Sequence, residues 1–382
     1  MPPARLIHAD SIRDPDLYLA TGISVIDPFT YVETNGKRVI VTSELEADAA
    51  RRNSSATEVW IESDFGRREL IKQGMHPHDS GLEVVRRVLE RLELTEVAVP
   101  PSFPVDLADY LRGHAITVTT DRAGYEMRRR VKDERALDGI RIAQRATEAA
   151  FARVKAMLGA SEPGADGLML DGEPLTCERV TAGIEDVLRA HGCEGEPPLV
   201  GAGPTGANVH EHGSGQIQAH ESIIVDIFPR HAASRFFADM TRTFCVGDAP
   251  DQLRHMHATV LEAVKRSTER IAAGVNGAVV WEAACDAIEA GGYRTTRSLA
   301  DGETLDEDFF HGLGHGVGIE VHESPNLGLA GDDLVVGDVV TIEPGVYRKG
   351  FGGVRLEDLA VVRDGGCEVL TDFPYDLEIH PS

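Results

Sequence analysis

Residues 311–323 read HGLGHGVGIEVHE. His311, His315 and His322 fall within twelve residues there, and four interleaved glycines let the backbone come close to whatever sits in front of it. A single histidine in such a setting is more often structural. Three together matter because of what surrounds them in the second half of the chain.

Four apolar, strand-like segments of that half each carry an acidic residue. ESIIVDIFPR holds Asp226, FFADMTRTFCV holds Asp239, DVVTIEPGVY holds Glu343 near its end, and GVRLEDLAVV holds Glu357 inside. A carboxylate within an apolar strand costs several kcal/mol unless something neutralises it. Pairing with arginine is one explanation, and Arg242 and Arg355 are near enough in sequence to serve. A shared divalent metal is the other, and oxygen-rich sites with one or two imidazoles suit Mn²⁺, Co²⁺, Fe²⁺ or Zn²⁺. The histidine cluster favours the second explanation.

Composition excludes several classes. The 382 residues suggest two to three domains. With 42% hydrophobic and 26% charged residues, the chain is neither disordered nor fibrous. Its formal charge of −25 repels phosphate backbones, which argues against nucleic acid or an anionic membrane as partner. No apolar run reaches the roughly 18 residues of a membrane span. The start, MPPARLIHADSIRDPD, lacks a basic segment followed by an apolar one, so the expectation is no signal peptide and a cytoplasmic location. Cys177, Cys193, Cys245, Cys285 and Cys367 are scattered and never form a CxxC pair, which argues against a disulfide framework or a thiolate zinc site. Cys245, in FCV, reads as a small core residue.

Residues 1–128 alternate strand-like and helix-like pieces, the pattern of an α/β domain. TYVET and KRVIVTS flank Asn35-Gly36, a hairpin signal because both central residues of a type I′ turn need positive φ. In SGLEVVRRVLERLEL, Leu82, Val85, Val88, Leu89 and Leu92 mark one helix face. EVAVP and AITVTT read as short strands. His76 and His78 flank Pro77 in an expected surface loop, although an H-x-H pair can bind metal. From Asp133 a helical pattern places Leu137, Ile140, Ala143 and Ala146-Thr147 on one face, and residues 129–382 are read as a second, strand-rich domain.

GLGHGVGIEVHE, then TIEPGVY, then GVRLED resembles the pita-bread metallopeptidases, which include methionine aminopeptidase, Xaa-Pro aminopeptidase and Xaa-Pro dipeptidase (prolidase). The resemblance covers most of residues 129–382. SIRDPDLYLATGI, more weakly, is similar to the creatinase-type N-terminal domain of the Xaa-Pro members. The resemblance implies an α/β N-terminal domain followed by an α+β pita-bread catalytic domain. It places the metal ligands on Asp226, Asp239, His315, Glu343 and Glu357. Asp226 would hold one of two divalent ions, Asp239 and Glu357 would bridge both, and His315 and Glu343 would complete the second. A metal-bridging water would be the nucleophile, and Glu343 would pass its proton to the leaving amine. His322 resembles the histidine that donates to the scissile carbonyl. His210 or His212, of which His210 is preferred, matches a second catalytic histidine. His311 matches a further histidine of the substrate pocket. Arg355, two residues before Glu357, is a partner for a ligand carboxylate or a contact for a substrate carboxylate.

The sequence departs from the family beside Asp226. Phe228 stands where the family has glycine, and the interval from Asp226 to Asp239 is two residues longer than usual. Phe228, Pro229, Arg230 and His231 are therefore expected to enlarge a turn near the metals and bear on proline specificity. Three function classes follow. The first is a dinuclear metallopeptidase of short peptides, Xaa-Pro aminopeptidase or dipeptidase, favoured over methionine aminopeptidase by the N-terminal domain. The second is a C–N hydrolase or lyase of a small non-peptide substrate. Creatinase-like members lack the metal ligands, and the five kept here weigh against that branch. The third is a non-catalytic binding protein, against which the ligand set and His322 also count. Mn²⁺ is the expected ion, with Co²⁺, Zn²⁺ or Fe²⁺ as substitutes, and the expected assembly is a homodimer.

Overall fold

The computed structural model describes residues 3–209, 211–300 and 302–381. The chain folds into two compact units, Met1–Arg129 and Arg130–Ser382.

The first unit is a mixed six-stranded sheet with helices. Its strands lie in the order Glu58–Ile61, Lys37–Thr42, Phe29–Thr34, Ala4–Ala9, Glu96–Val99, Thr117–Thr120. Asn35 (φ 48°) and Gly36 (φ 78°) form the two-residue connection, with Thr34 paired to Lys37, as a type I′ hairpin requires. Helix Pro77–Arg91 buries Val84, Val85, Val88 and Leu89 against the sheet, with Leu82 and Leu92 packed at the margin. Each such buried aliphatic side chain stabilises by about 1.5–3 kcal/mol relative to exposure.

His76 and His78 correct the expected loop. Pro77 is the first residue of the helix, where its missing N–H costs nothing and its fixed φ suits the first turn. His76 caps that helix by accepting from the His78 N–H at 3.2 Å, while the His78 ring pairs with Asp106 at 2.8 Å. The two imidazoles thus have separate tasks.

The second unit pairs two helices with each of two sheets. Helix Glu134–Gly159 starts at Asp133, whose side chain accepts from the Ala136 N–H, and it buries Leu137, Ile140, Ala143, Ala146 and Thr147. It packs with helix Cys177–Ala190 on the sheet Leu199–Ala202, Ile223–Ile227, Met240–Val246, Glu378–Ile379. Helices Asp251–Thr268 and Gly277–Ala290 pack on the sheet Glu323–Leu327, Gly314–Gly316, Val339–Ile342, Asp358–Arg363, Gly366–Val369. Cys245 is fully buried. Among the described residues no helix is long and apolar enough to cross a membrane.

The expected continuous strand through Glu357 is two strands. Gly352–Arg355 pairs with Gly345–Arg348 in a separate ribbon, and Asp358–Arg363 joins the five-stranded sheet. Leu356 and Glu357 lie at the break, which turns the Glu357 carboxylate toward the other sheet.

Candidate metal centre

Both sheets deliver carboxylates to one cavity of about 690 Å³, within the usual range for a small-ligand site. Asp226 lies in strand Ile223–Ile227, directly opposite Thr241 of the neighbouring strand. Asp239 immediately precedes that strand, and Glu343 immediately follows strand Val339–Ile342. His315 sits in strand Gly314–Gly316. Glu357 is anchored twice on Thr241. Its N–H donates to the Thr241 carbonyl at 3.0 Å, and its Oε2 accepts from the Thr241 hydroxyl at 2.8 Å.

Asp239, His315 and Glu357 each bring one potential ligand atom within 4.8 Å of the others. Glu343 Oε1 is 3.4 Å from His315 Nε2, and Asp239 Oδ2 is 3.8 Å from it. Asp226 accepts from Arg355 at 2.6 Å through Oδ2, whereas its Oδ1 is buried without a hydrogen-bond partner. An orphaned buried carboxylate oxygen, on a cavity also lined by the acidic side chains of Asp239, Glu343 and Glu357, fits a cation and is costly without one.

The electrostatics agree. Burial raises the Asp239 carboxyl well above its ordinary value, and the neighbouring Asp226 and Glu343 charges add to the rise. Burial likewise raises Glu357 well above its usual range, followed by the charges of Asp239, Glu343 and Asp226, with Arg355 opposing. Burial lowers the His315 pKa, so its imidazole is neutral and can serve as a metal ligand.

These shifts predict a pH dependence of the metal-free protein. The unfolded chain releases both protons near pH 4, whereas the folded chain holds them to higher pH. Their contribution to stability is therefore complete below that pH and is lost as pH rises toward the folded pKa values. Glu357→Gln keeps the neutral form at every pH. Thermal melts of chelated protein should show the variant gaining on the wild type between pH 5 and pH 8. A constant gap would contradict the burial of like charges.

Of the two arginines considered as neutralising partners, only Arg355 meets a site carboxylate. Its guanidinium also donates to the Tyr347 hydroxyl and to Thr241 Oγ1, both at 3.3 Å. Arg242 is committed elsewhere, to Asp358 at 2.9 Å and the Glu357 carbonyl at 2.7 Å. The His322 ring lies edge-on to the His315 ring, with centroids 4.3 Å apart, and lines the cavity. His311 Nε2 is 3.1 Å from the Tyr347 hydroxyl. His210 lies outside the described residues.

The departure beside Asp226 reaches the cavity through one residue. Phe228 lines it, but Arg230 and His231 form a short strand paired with Cys193–Glu194. Arg230 is bound to Glu194 at 2.5 Å, and the His231 ring meets Ser234 Oγ at 2.9 Å. The extra turn thus puts an aromatic side chain on the cavity wall, while Arg230 is paired with Glu194 and does not line it.

Sequence reasoning missed Thr241, Thr341 and Tyr347. The Thr341 hydroxyl accepts from the His315 N–H at 3.0 Å and approaches Glu343 Oε1 at 3.4 Å. Thr241 is two residues after Asp239 and Thr341 two before Glu343, so period-two alternation was an available signal for both. Tyr347 carried no comparable signal.

Comparison with known proteins extends this geometry. Residues 138–364 match the model of metallopeptidase family M24. The "Probable dipeptidase PepE" of Mycobacterium tuberculosis is 31% identical over 258 residues, covering 66% of this chain and 61% of that protein. The Xaa-Pro dipeptidase of Pyrococcus furiosus is 30% identical over 203 residues, covering 52% of this chain and 54% of that protein. The matched segments thus span less than two thirds of these relatives. In structure, the X-Pro aminopeptidase of Thermotoga maritima superposes with a TM-score of 0.79 at 22% identity, covering 99% of this chain and 97% of that one. The fold is accordingly the two-domain one expected, an α/β unit followed by a pita-bread catalytic unit. With its acidic site and a family match over most of the second unit, the chain belongs to metallopeptidase family M24.

Proposed function

We propose that the chain hydrolyses short peptides at Xaa-Pro bonds, as an Xaa-Pro aminopeptidase or Xaa-Pro dipeptidase. It would do so with two divalent ions, Mn²⁺ before Co²⁺, Zn²⁺ or Fe²⁺, on Asp226, Asp239, His315, Glu343 and Glu357. The convergence of four carboxylates and one neutral imidazole in one cavity carries this reading. Divalent ions bound there would supply an activated water at neutral pH and polarise the scissile carbonyl. The two named Xaa-Pro relatives support proline as the second residue. In this reading the protein works as a homodimer.

The chain's own groups then have distinct tasks. Glu343 has the most exposed of the four carboxylates, with a side chain 19% exposed, and it moves the proton to the leaving amine. His322 donates to the oxygen on which negative charge develops. Arg355 holds Asp226 in place and offsets part of the acidic charge. His311, with the apolar faces of Phe228, Phe310 and Val209, would receive the proline ring, which brings no amide N–H to the scissile bond.

A second reading, peptide hydrolysis without strict need for proline, is favoured by the relative named only a dipeptidase. Matched Xaa-Pro and Xaa-Ala peptides separate the two, tested as dipeptides and longer chains on Mn²⁺- and Zn²⁺-loaded enzyme. The proline reading predicts kcat/KM higher for Xaa-Pro by about tenfold or more. A ratio below one for every pair would remove proline specificity and leave the second reading.

A further inference from the structure

Lys132 lies between helices Arg122–Arg130 and Glu134–Gly159, and no step above uses it. Its Nζ is 2.5 Å from Glu323 Oε1, and the two side chains are only 1% and 2% exposed. A lysine ammonium gives up strong hydration to be buried in this way, so the pair is a costly means of neutralising one glutamate. Its location suggests what the cost achieves. Glu323 follows His322 directly and begins strand Glu323–Leu327.

The surrounding segment is built around the pair. A Cβ on Gly318 would collide with the Glu323 carboxylate and with Lys132 Cε. Gly318 also ties the segment to the metal centre, because its carbonyl accepts from the N–H of Phe237, two residues before Asp239, at 2.9 Å. Its own N–H donates to the Glu320 carbonyl at 3.0 Å, and the neighbouring Val317 N–H donates to Val339 at 2.8 Å. The Lys132 N–H donates to the Gly337 carbonyl at 3.3 Å, so the lysine is itself fixed from the backbone. Residues 317–323 are thus fastened by backbone bonds at the start and, at the end, by the strand pairing of Glu323 with Gly316 together with a buried ion pair. His322, an exposed side chain, sits immediately before that second fastening.

We propose that Lys132 is a positioning residue. Through Glu323 it fixes the backbone of His322, so that the imidazole stays beside His315 and faces the scissile carbonyl. The proposal rests on the reading of His322 as donor to that carbonyl. A displacement of about 1 Å at a reacting group can cost on the order of 10²-fold.

The test uses metal-loaded full-length protein and an Xaa-Pro dipeptide. Lys132→Met should lower kcat by about 10–10²-fold with KM and metal content nearly unchanged. Lys132→Met with Glu323→Gln removes both buried charges, so the melting temperature should recover while kcat stays low. If the single variant does not fold, this double variant carries the comparison. Adding Lys132→Met to His322→Ala should bring no further loss of kcat. Full kcat in the double variant would reduce the ion pair to a stabilising role and overturn the proposal. So would independent, multiplying losses from Lys132→Met and His322→Ala, with the reading of His322 left intact. Unchanged kcat in His322→Ala alone would remove that reading and the proposal with it.

Discussion

Replacing Asp239 or Glu357 with alanine should reduce kcat/KM by about 10³-fold or more and lower bound metal at the same time. Both side chains are buried in the cluster that could hold an ion. Metal catalysis is worth several kcal/mol of transition-state stabilisation, and about 1.4 kcal/mol corresponds to a factor of ten. The loss need not come from unfolding. In metal-free protein each carboxyl is held against burial and like charge, so truncating one relieves repulsion. Circular dichroism should therefore show a folded variant, and metal analysis a depleted one. A variant with full metal and full activity would take that residue out of the centre.

His322→Ala should lower kcat by about 10²–10³-fold while metal content stays at the wild-type level. The ring lies beside His315 and lines the cavity, yet the three residues that bring ligand atoms together do not include it. An imidazole there can donate to an oxygen bound in front of His315, and alanine removes the donor without touching a ligand. Metal loss with little further effect on rate would instead make His322 a ligand or a structural residue.

The parts of the fold set by local chemistry were legible in the sequence. Asn35-Gly36 demands a turn that few other pairs tolerate, and Asp133 caps a helix whose apolar face runs from Leu137 to Thr147. The acidic residues stood out because a carboxylate in an apolar strand is an anomaly in any fold. Where strands end was less legible. Nothing in GVRLEDLAVV marks the break at Leu356-Glu357, because the pairing partners that part there are 10 or more residues away on both sides. The partner of Arg230 was also hidden, since Glu194 lies 36 residues earlier and only the sheet pairing brings them together. Tyr347 reaches His311 and Arg355 from the end of a motif that gives no sign of a buried hydroxyl. The His76–Pro77–His78 stretch was misread because proline, a loop signal inside a run, is a start signal at the first helical position.

The most direct measurement is the metal content of purified protein, read alongside its activity on an Xaa-Pro dipeptide before and after chelation. Up to two divalent ions per chain are predicted, with activity lost on chelation and regained as Mn²⁺ is titrated back. Full activity in protein shown to be metal-free would contradict the account.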